Sequence, residues 1–447
     1  MRIGVFHFGG VEMPDAGAGG TPPLERRYGQ DAVLHAHREL LACGQLAETL
    51  GYDSFWLTEH HFQHEGYEVV PNGLMFSAFL AAHTSRLRIG TMFNVLGQWH
   101  PLRLAEDFAL LHNLSGGRAI LGVGRGTVPR EMLPLTRGQL SVGSYDNPSA
   151  AEADRLNREV TEESLDILEL ALGRERFRYA GKHFRLPPPG IPDRGGEVAD
   201  LTLIPRPAYP YETWQAITSP PTLAAVPARG LGGVFWLKEH GRLAGEWAAF
   251  AETYRGAHGR ELARGEKRML VLNVGLGDSH AEAVAGVRPG HDEFWRFLAP
   301  YGWGKGYLGP DGRPAGPDFV PTLEDSMAQG PWAVGTAAEV AERIAGVDAL
   351  LGLTDLVIFP GMPGDSFTRM REQMTRFSQD VMPLLAGLGA PAEAAEAAET
   401  AEMAEMAETA EMAEMAEMAE PAEMAEPAET RTPAAAPPAA SIGADRG

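Results

Sequence analysis

Glu59, His60, His61 and His64 fall within six positions, directly after the apolar run Asp53–Leu57 and Thr58. An unperturbed imidazole titrates near neutral pH, so such a cluster suits proton transfer or polarisation of a bound group. His60 and His64 have the spacing of one helical face. The zinc-protease order His-Glu-x-x-His is absent, however, and no third ligand pattern appears elsewhere, so no metal is expected. Histidines hydrogen-bonded in a packed loop are the plainer alternative. A second stretch is Gly122-Val123-Gly124-Arg125-Gly126-Thr127. As a dinucleotide fingerprint it is poor, because Pro129 and Pro134 interrupt the helix that should follow. Alternating glycines fit a place where backbone lies close to a flat ligand, with Arg125 as a fixed cation; a structural salt bridge for Arg125 stays open. In the third stretch, Thr218-Ser219-Pro220-Pro221-Thr222, Ser219 is a natural N-cap and Pro220 a natural first helical residue. A helix start beside a strand end is either an ordinary cap or an anion site.

These residues need strands and helices to bring them together. Apolar runs of β-forming residues occur at Arg2–Phe8, Asp53–Leu57, Leu87–Leu96, Ala119–Val123, Thr213–Ile217, Gly232–Leu237, Met269–Leu276 and Thr354–Phe359. Most are continuously apolar, as strands buried on both faces are. Helical patterns separate them: Leu40, Cys43, Ala47 and Leu50 share one face. Pro101 suits a first turn, and Ser279 with Glu282 and Thr336 with Glu339 form capping-box signals. Eight alternating units predict an α/β fold, a (β/α)₈ TIM barrel, with a doubly wound open sheet as the alternative. Chemistry then belongs at the strand C-terminal ends, where all three stretches fall. Tyr301-Gly302-Trp303-Gly304-Lys305-Gly306-Tyr307 reads as a lid with hinge glycines, or as a plain surface loop.

The chain has 447 residues and a net charge of −22. From Ala390 onward two arginines stand against fourteen acidic residues, a net of −12, leaving −10 on residues 1–389. Ala-Glu-X triplets run from Ala392 to Thr430. A period of three precesses round a 3.6-residue helix and makes no stripe, so residues 390–447 are expected to be a disordered or marginally helical appendage to a barrel of residues 1–389. The acidic body gives no footprint for nucleic acid. No apolar run has the length of a membrane span and no secretory signal pattern is present. Cys43 is the only cysteine, so no intrachain disulfide can form and a cytoplasmic setting is expected.

Tyr52-Asp53-Ser54-Phe55-Trp56-Leu57-Thr58-Glu59-His60-His61-Phe62 resembles the second-strand signature of the bacterial luciferase-like flavin-dependent monooxygenases. The resemblance continues through Leu87–Thr91, His100–Asp107, Leu114–Arg118 and Gly122–Gly126, returns at Val334–Thr336 and ends at Phe377–Pro383, covering residues 1 to about 386. It is stronger to the luciferase subgroup than to the deazaflavin-dependent reductases. It implies a TIM barrel that binds FMN, reduced by a separate flavin reductase, and that activates dioxygen as a flavin C4a-peroxide to oxygenate a small organic substrate. His60 is then the acid/base near the ring, with Glu59 and His61 supporting it. A non-proline cis peptide against the ring falls at Met92–Phe93. Arg125, Arg158, Ser219 and Thr222, with the Thr218 backbone nearby, take the phosphate, and Glu131 matches an acidic position near the flavin. The resemblance also implies a homodimer.

Two departures stand out. The luciferase catalytic subunit has a reactive cysteine where this chain has Gly124, which excludes thiol chemistry there and leaves room beside the flavin. Tandem prolines after Ser219 replace small donor residues. The competing readings are hydride transfer with a reduced deazaflavin and a non-catalytic flavin-binding partner subunit; retention of Glu59, His60 and Arg125 speaks against the second.

Overall fold

The computed structural model describes residues 1–142 and 148–388. The proposed appendage at 390–447 lies outside them. Ten parallel strands form the main sheet: β1 (Arg2–His7), β2 (Ser54–Leu57), β3 (Arg88–Thr91), β4 (Asn94–Val95), β5 (Ala119–Gly124), β6 (Thr213–Ala216), β7 (Gly232–Phe235), β8 (Arg268–Leu276), β9 (Trp332–Gly335) and β10 (Asp355–Phe359). Eight of them close a ring in the order β1-β2-β3-β5-β6-β7-β8-β10 and back to β1. This is the TIM barrel, and the eight predicted runs supply its eight strands in order. The open sheet is excluded by the closing pair, Arg2 with Asp355 through Val5 with Ile358.

Side chains alternate across the wall. Ile3, Val5, Phe55, Leu57 and Ile89 face outward into the layer shared with the helices, whereas Phe6, Trp56, Ile120, Trp214, Val234, Met269 and Val357 fill the interior. The interior is evened out by pairing its largest residues with its smallest. Trp56 lies in register with Gly90 and Trp214 with Gly232. A Cβ at either glycine would stand 2.4 Å from the indole opposite.

The helices are α1 (Gln30–Thr49), α2 (Gly73–Ala81), α3 (Pro101–Leu114), α4 (Pro129–Leu135), α5 (Pro148–Gly173), α6 (Pro220–Ala228), α7 (His240–His258), α8 (His280–Leu298), α9 (Leu323–Gln329), α10 (Ala337–Leu351) and α11 (Phe367–Arg376). The expected signals operate at their ends. Leu40, Cys43 and Ala47 are the buried face of α1, and burial pushes the Cys43 thiol up to about 12. At α10, Thr336 Oγ1 accepts from Glu339 N while Glu339 Oε2 accepts from Thr336 N at 2.7 Å. At α8 the cap is only half a box, since Glu282 takes the amide of Asp278.

Three expectations need correction. The third run is not one strand: a turn at Met92-Phe93 ends β3 at Thr91, and Asn94-Val95 pair separately with Val123 and Gly124. The sixth run ends at Phe235, because Leu237 adopts a positive φ of 53° and Trp236 leaves the wall. The ninth strand, β9, was not expected; its four residues pair with Asn273–Leu276 of β8, above the point where β7 has left at Leu270. Four residues between Pro331 and a helix cap are too few for a periodic signal.

The long segment between β1 and α1 packs against the loop after β2, the loop after β10 and α8. It is fixed by Arg26, whose guanidinium is buried on Glu293 of α8 at 2.7 and 3.1 Å. Glu293 also accepts from Arg296, Gly17 N and the Tyr67 hydroxyl. A buried carboxylate is tolerated when donors surround it in this way. Among the described residues no helix is long and apolar enough to cross a membrane.

Candidate active site

A cavity of about 330 Å³ opens at the C-terminal ends of the strands. Its polar wall is built by the loop after β2. His60 N donates to Val70 O at 3.0 Å, closing the loop on itself and returning Glu68 to the imidazole. Glu131, in the first turn of α4, arrives from the other side. His60 Nδ1 lies 3.0 Å from both Glu131 oxygens, and Nε2 lies 3.1 Å from Glu68 Oε2. The first contact is a hydrogen bond. In the second, Glu68 Oε2 is an ion-pair partner without an aligned donor.

Burial lowers the His60 pKa, but Glu131 and Glu68 outweigh it and raise it to about 9. Burial also raises Glu131, yet His60 and the Gln63 amide at 2.9 Å hold it below its ordinary value. For Glu68 burial prevails, pushing it up to about 8. Glu59 is buried beside them and pushed up to about 7, its carboxylate fixed by the Trp99 indole N–H at 2.8 Å. Imidazole and three carboxyls therefore share a buried corner, and each carboxyl raises the imidazole's pKa.

At the other end Arg125 Nη1 donates to Asp154 Oδ1 at 2.9 Å and Arg158 Nε to Asp154 Oδ2 at 3.1 Å. Lys305 joins them at the rim, its pKa lowered by burial and then by Arg125 and Arg158. Among the described residues these side chains set three cations against one carboxylate. Asn157 ties α5 to this corner through Arg125 O and Ser141 O. Between the two ends Phe6, Phe8, Trp236, Phe297, Tyr301 and Trp303 form an aromatic wall. Trp236 packs edge-on against Trp303 at 5.7 Å, and its N–H is satisfied by Asn273.

The structure brings Glu59, His60, Met92, Phe93, Arg125, Glu131, Arg158, Thr218 and Thr222 to the cavity. The Met92–Phe93 peptide is cis. His61 and Ser219 stand outside the lining. His61 lies beside exposed Phe62, and burial lowers its pKa. Ser219 caps α6, while the Thr222 hydroxyl accepts from Thr218 N and Ser219 N. The segment from Thr58 to Gln63 is not helical, and His64 turns to Arg26 O and Arg27; His60 and His64 share no helical face.

The glycines after β5 are also read differently. A Cβ on Gly122 would fall 1.9 Å from Thr91 O, and one on Gly124 3.0 Å from Phe93 Cβ. They admit the neighbouring strand end as much as a ligand, and Phe93 takes part of the room expected at Gly124. The lid glycines are packing glycines too. A Cβ at Gly304 would meet Phe319 O, and one at Gly306 would meet Leu237 O, each at 1.9 Å. Arg242 holds this strap through the carbonyls of Lys305, Gly306 and Tyr307.

Glu68, Asp154, Trp236 and Lys305 were not singled out for the site. Asp154 and Arg158 have the i, i+4 spacing of a helical ion pair, a signal the sequence does carry. Trp236 sits at the end of a predicted strand. Glu68 is brought back by a loop with no periodicity, and nothing local marks it.

The sequence profile of the family described as Luciferase-like monooxygenase matches residues 1–354. Among curated relatives, 4-hydroxyprotoasukamycin monooxygenase of Streptomyces nodosus subsp. asukaensis is 29% identical over 60% of this chain and 68% of its own. The alkanal monooxygenase alpha chain of Photorhabdus luminescens is 38% identical over 22% of this chain and 26% of its own. Coverage is partial elsewhere too: the chain spans 41% of protein y4wF and 60% of protein y4vJ of Sinorhizobium fredii. Of solved structures, monooxygenase RslO1 from Streptomyces bottropensis superposes with a TM-score of 0.65 at 21% identity, over 86% of this chain and 100% of that one. The FMN complex of the oxygenating constituent of 3,6-diketocamphane monooxygenase from Pseudomonas putida gives 0.64 at 21% identity, over 86% and 98%. An F420-dependent secondary alcohol dehydrogenase shares the fold at 0.56 and 14% identity, over 86% and 98%.

Proposed function

The chain belongs to the luciferase-like monooxygenase family, and from that premise we propose that it is a flavin-dependent monooxygenase acting on a small organic substrate with reduced FMN and dioxygen. The observation that carries the proposal is the meeting, in one cavity, of a carboxylate-held imidazole, an aromatic wall and a cationic corner. The lining fits such a cofactor. Gln215 is buried in the wall with Oε1 unpartnered among the described residues, an acceptor of the kind that an isoalloxazine N3–H requires. The corner of Arg125, Arg158 and Lys305 against Asp154 has a surplus of two positive charges among the described residues, matching a phosphate monoester dianion.

Reduced flavin, when bound, supplies the electrons and the position at which dioxygen reacts. The chain supplies the rest. Arg125, Arg158 and Lys305 hold the phosphate end, with the start of α6 at Thr218 and Thr222 beside it. Trp236, Trp303 and Tyr301 exclude water and present flat apolar faces to a substrate of similar character. His60 holds a proton at the polar end, oriented by Glu131, while Glu59 is kept in place by Trp99. The flavin would reach the site from a separate reductase. Deazaflavin-dependent hydride transfer remains the second reading, because F420-dependent proteins share the fold; the dianion match favours FMN.

The test is anaerobic titration with reduced FMN followed by admission of oxygen. The proposal requires stoichiometric binding and oxygen uptake by the isolated chain. Oxidation of reduced deazaflavin without oxygen uptake would establish the alternative, and dependence on a paired paralogue would establish a partner-subunit role. A homodimer is proposed on the adjoining faces of α2 and α3, where Met75, Phe79, Leu110 and Leu114 are exposed. Sedimentation at micromolar concentration should give twice the chain mass.

A further inference from the structure

We propose that Glu68 is a positioning residue that keeps His60 doubly protonated, so that the cluster of Glu131, His60 and Glu68 holds a proton ready for discharge on the imidazole at the polar end of the cavity. This rests on the monooxygenase reading only for the use made of the proton. Geometry carries the inference. An imidazole has two ring nitrogens, and here both face buried carboxyl groups: Nδ1 at 3.0 Å from Glu131 and Nε2 at 3.1 Å from Glu68. A neutral ring has one N–H and one lone pair. It could satisfy only one carboxylate and would set its lone pair against the other. The imidazolium donates to Glu131 and keeps its second N–H, with the ring's positive charge, beside Glu68 as an ion pair.

Every neighbouring element bears on the same ring. Glu59 and Glu68 come from the loop after β2, Glu131 from α4, and the acidic Glu65 lies behind Glu68. Tyr301, from the segment after α8, faces Glu131 and Glu68, and Arg130 pairs away from the ring with Glu65 at 2.7 Å. Among the described residues the neighbouring His61 is a basic group that opposes the charge, and burial lowers its pKa. His60 and Glu68 both line the cavity, with the His60 side chain 18% exposed.

The proton balance is simple. When a basic oxygen in the cavity takes a proton, the Nε2–H bond or the Glu68 O–H bond breaks, the electron pair stays on that nitrogen or oxygen, and His60 and Glu68 together retain one proton fewer. Solvent restores it. No oxidant or reductant enters this step. Because both nitrogens are committed at rest, His60 is an acid before it is a base.

The experiment follows the imidazole directly. Full-length protein, free of flavin, is labelled with ¹⁵N/¹³C-histidine, and the His60 resonance is identified by its loss in His60→Gln. The wild-type ring should stay doubly protonated through pH 8 and titrate near 9. In Glu68→Gln the midpoint should fall by more than one pH unit, and the basic limb of the oxygen-uptake profile should move with it. A wild-type midpoint near 6.5, or one unmoved by Glu68→Gln, overturns the proposal. The wild-type titration needs no variant to fold. The ring titration requires no flavin, so failure of the flavin reading leaves this result standing, and the reverse holds.

Discussion

Glu68 and Glu131 flank one imidazole, yet their pKa values move in opposite directions. Glu131 has a true hydrogen bond from Nδ1 and another from Gln63, and stays ionised; Glu68 has neither, and burial governs it. The consequence is a pH-dependent stability. Between pH 7 and 9 the folded state binds protons that the unfolded chain has released, on Glu68 (4.5 raised to about 8) and on His60 (6.5 raised to about 9). Their contribution is complete below the unfolded values and disappears as pH passes the folded ones, so stability falls with rising pH. Thermal unfolding should show Tm dropping from pH 7 to 9, and Glu68→Gln should flatten that slope. A Tm that rises across this interval is incompatible with the arrangement. At the cationic corner, Arg125→Met removes a charged hydrogen bond of about 1.5–3 kcal/mol. FMN binding should weaken roughly 10- to 100-fold at that energy, whereas riboflavin, which has no phosphate, should bind as before. Fluorescence titrations with the two flavins measure both.

At the scale of elements, the strap from Ala299 to Tyr307 presents Tyr301, Trp303 and Lys305 to the cavity at alternate positions, and buried Tyr307 anchors its end on Ser326. Gly306→Ala would force a methyl group against the Leu237 carbonyl, beside the turn that sends Trp236 inward. Overpacking of this kind costs about 1–3 kcal/mol. Stability should fall accordingly, with substrate KM rising more than FMN Kd; equal effects on both would mean that the strap does not shape the substrate side. Much of this scale was legible in the sequence. Continuously apolar runs mark strands covered on both faces, and Thr336 with Glu339 marks a helix start, because both signals are local. Glu68 was not legible, since its partner is chosen by a loop that closes through the His60 amide. Nor was the packing role of Gly304 and Gly306, which depends on backbone more than ten and sixty positions away. Motif resemblance, by contrast, pointed to Met92-Phe93, whose cis bond no periodicity indicates.

For the whole molecule, the charge of −22 separates into parts with different meanings. The described barrel ends where Leu388 O accepts from the Met1 amino group at 3.1 Å, after buried Val381 and Leu385 have completed the outer layer. Truncation at Ala390 removes −12 of the net charge and leaves residues 1–389 in place. Tm and oxygen uptake of the shortened chain should match the full chain within error; loss of either would assign the repeat a structural or catalytic part. The candidate active-site cavity is lined by residues of the described barrel, and every side chain proposed for the chemistry lies between Glu59 and Lys305.

The ring of strands closes directly from β8 to β10, and β9 pairs only along the upper half of β8. The stretch that contributes Tyr301 and Trp303 to the aromatic wall is thus inserted between two strands already joined without it. Selection, or a laboratory library confined to Gly302–Val320, can explore new substrate pockets there while the hydrogen-bonded cylinder and its proton-holding corner are inherited unchanged. On the monooxygenase reading proposed above, this stretch, Lys305 apart, is a replaceable cassette and the closed barrel is the frame that receives it.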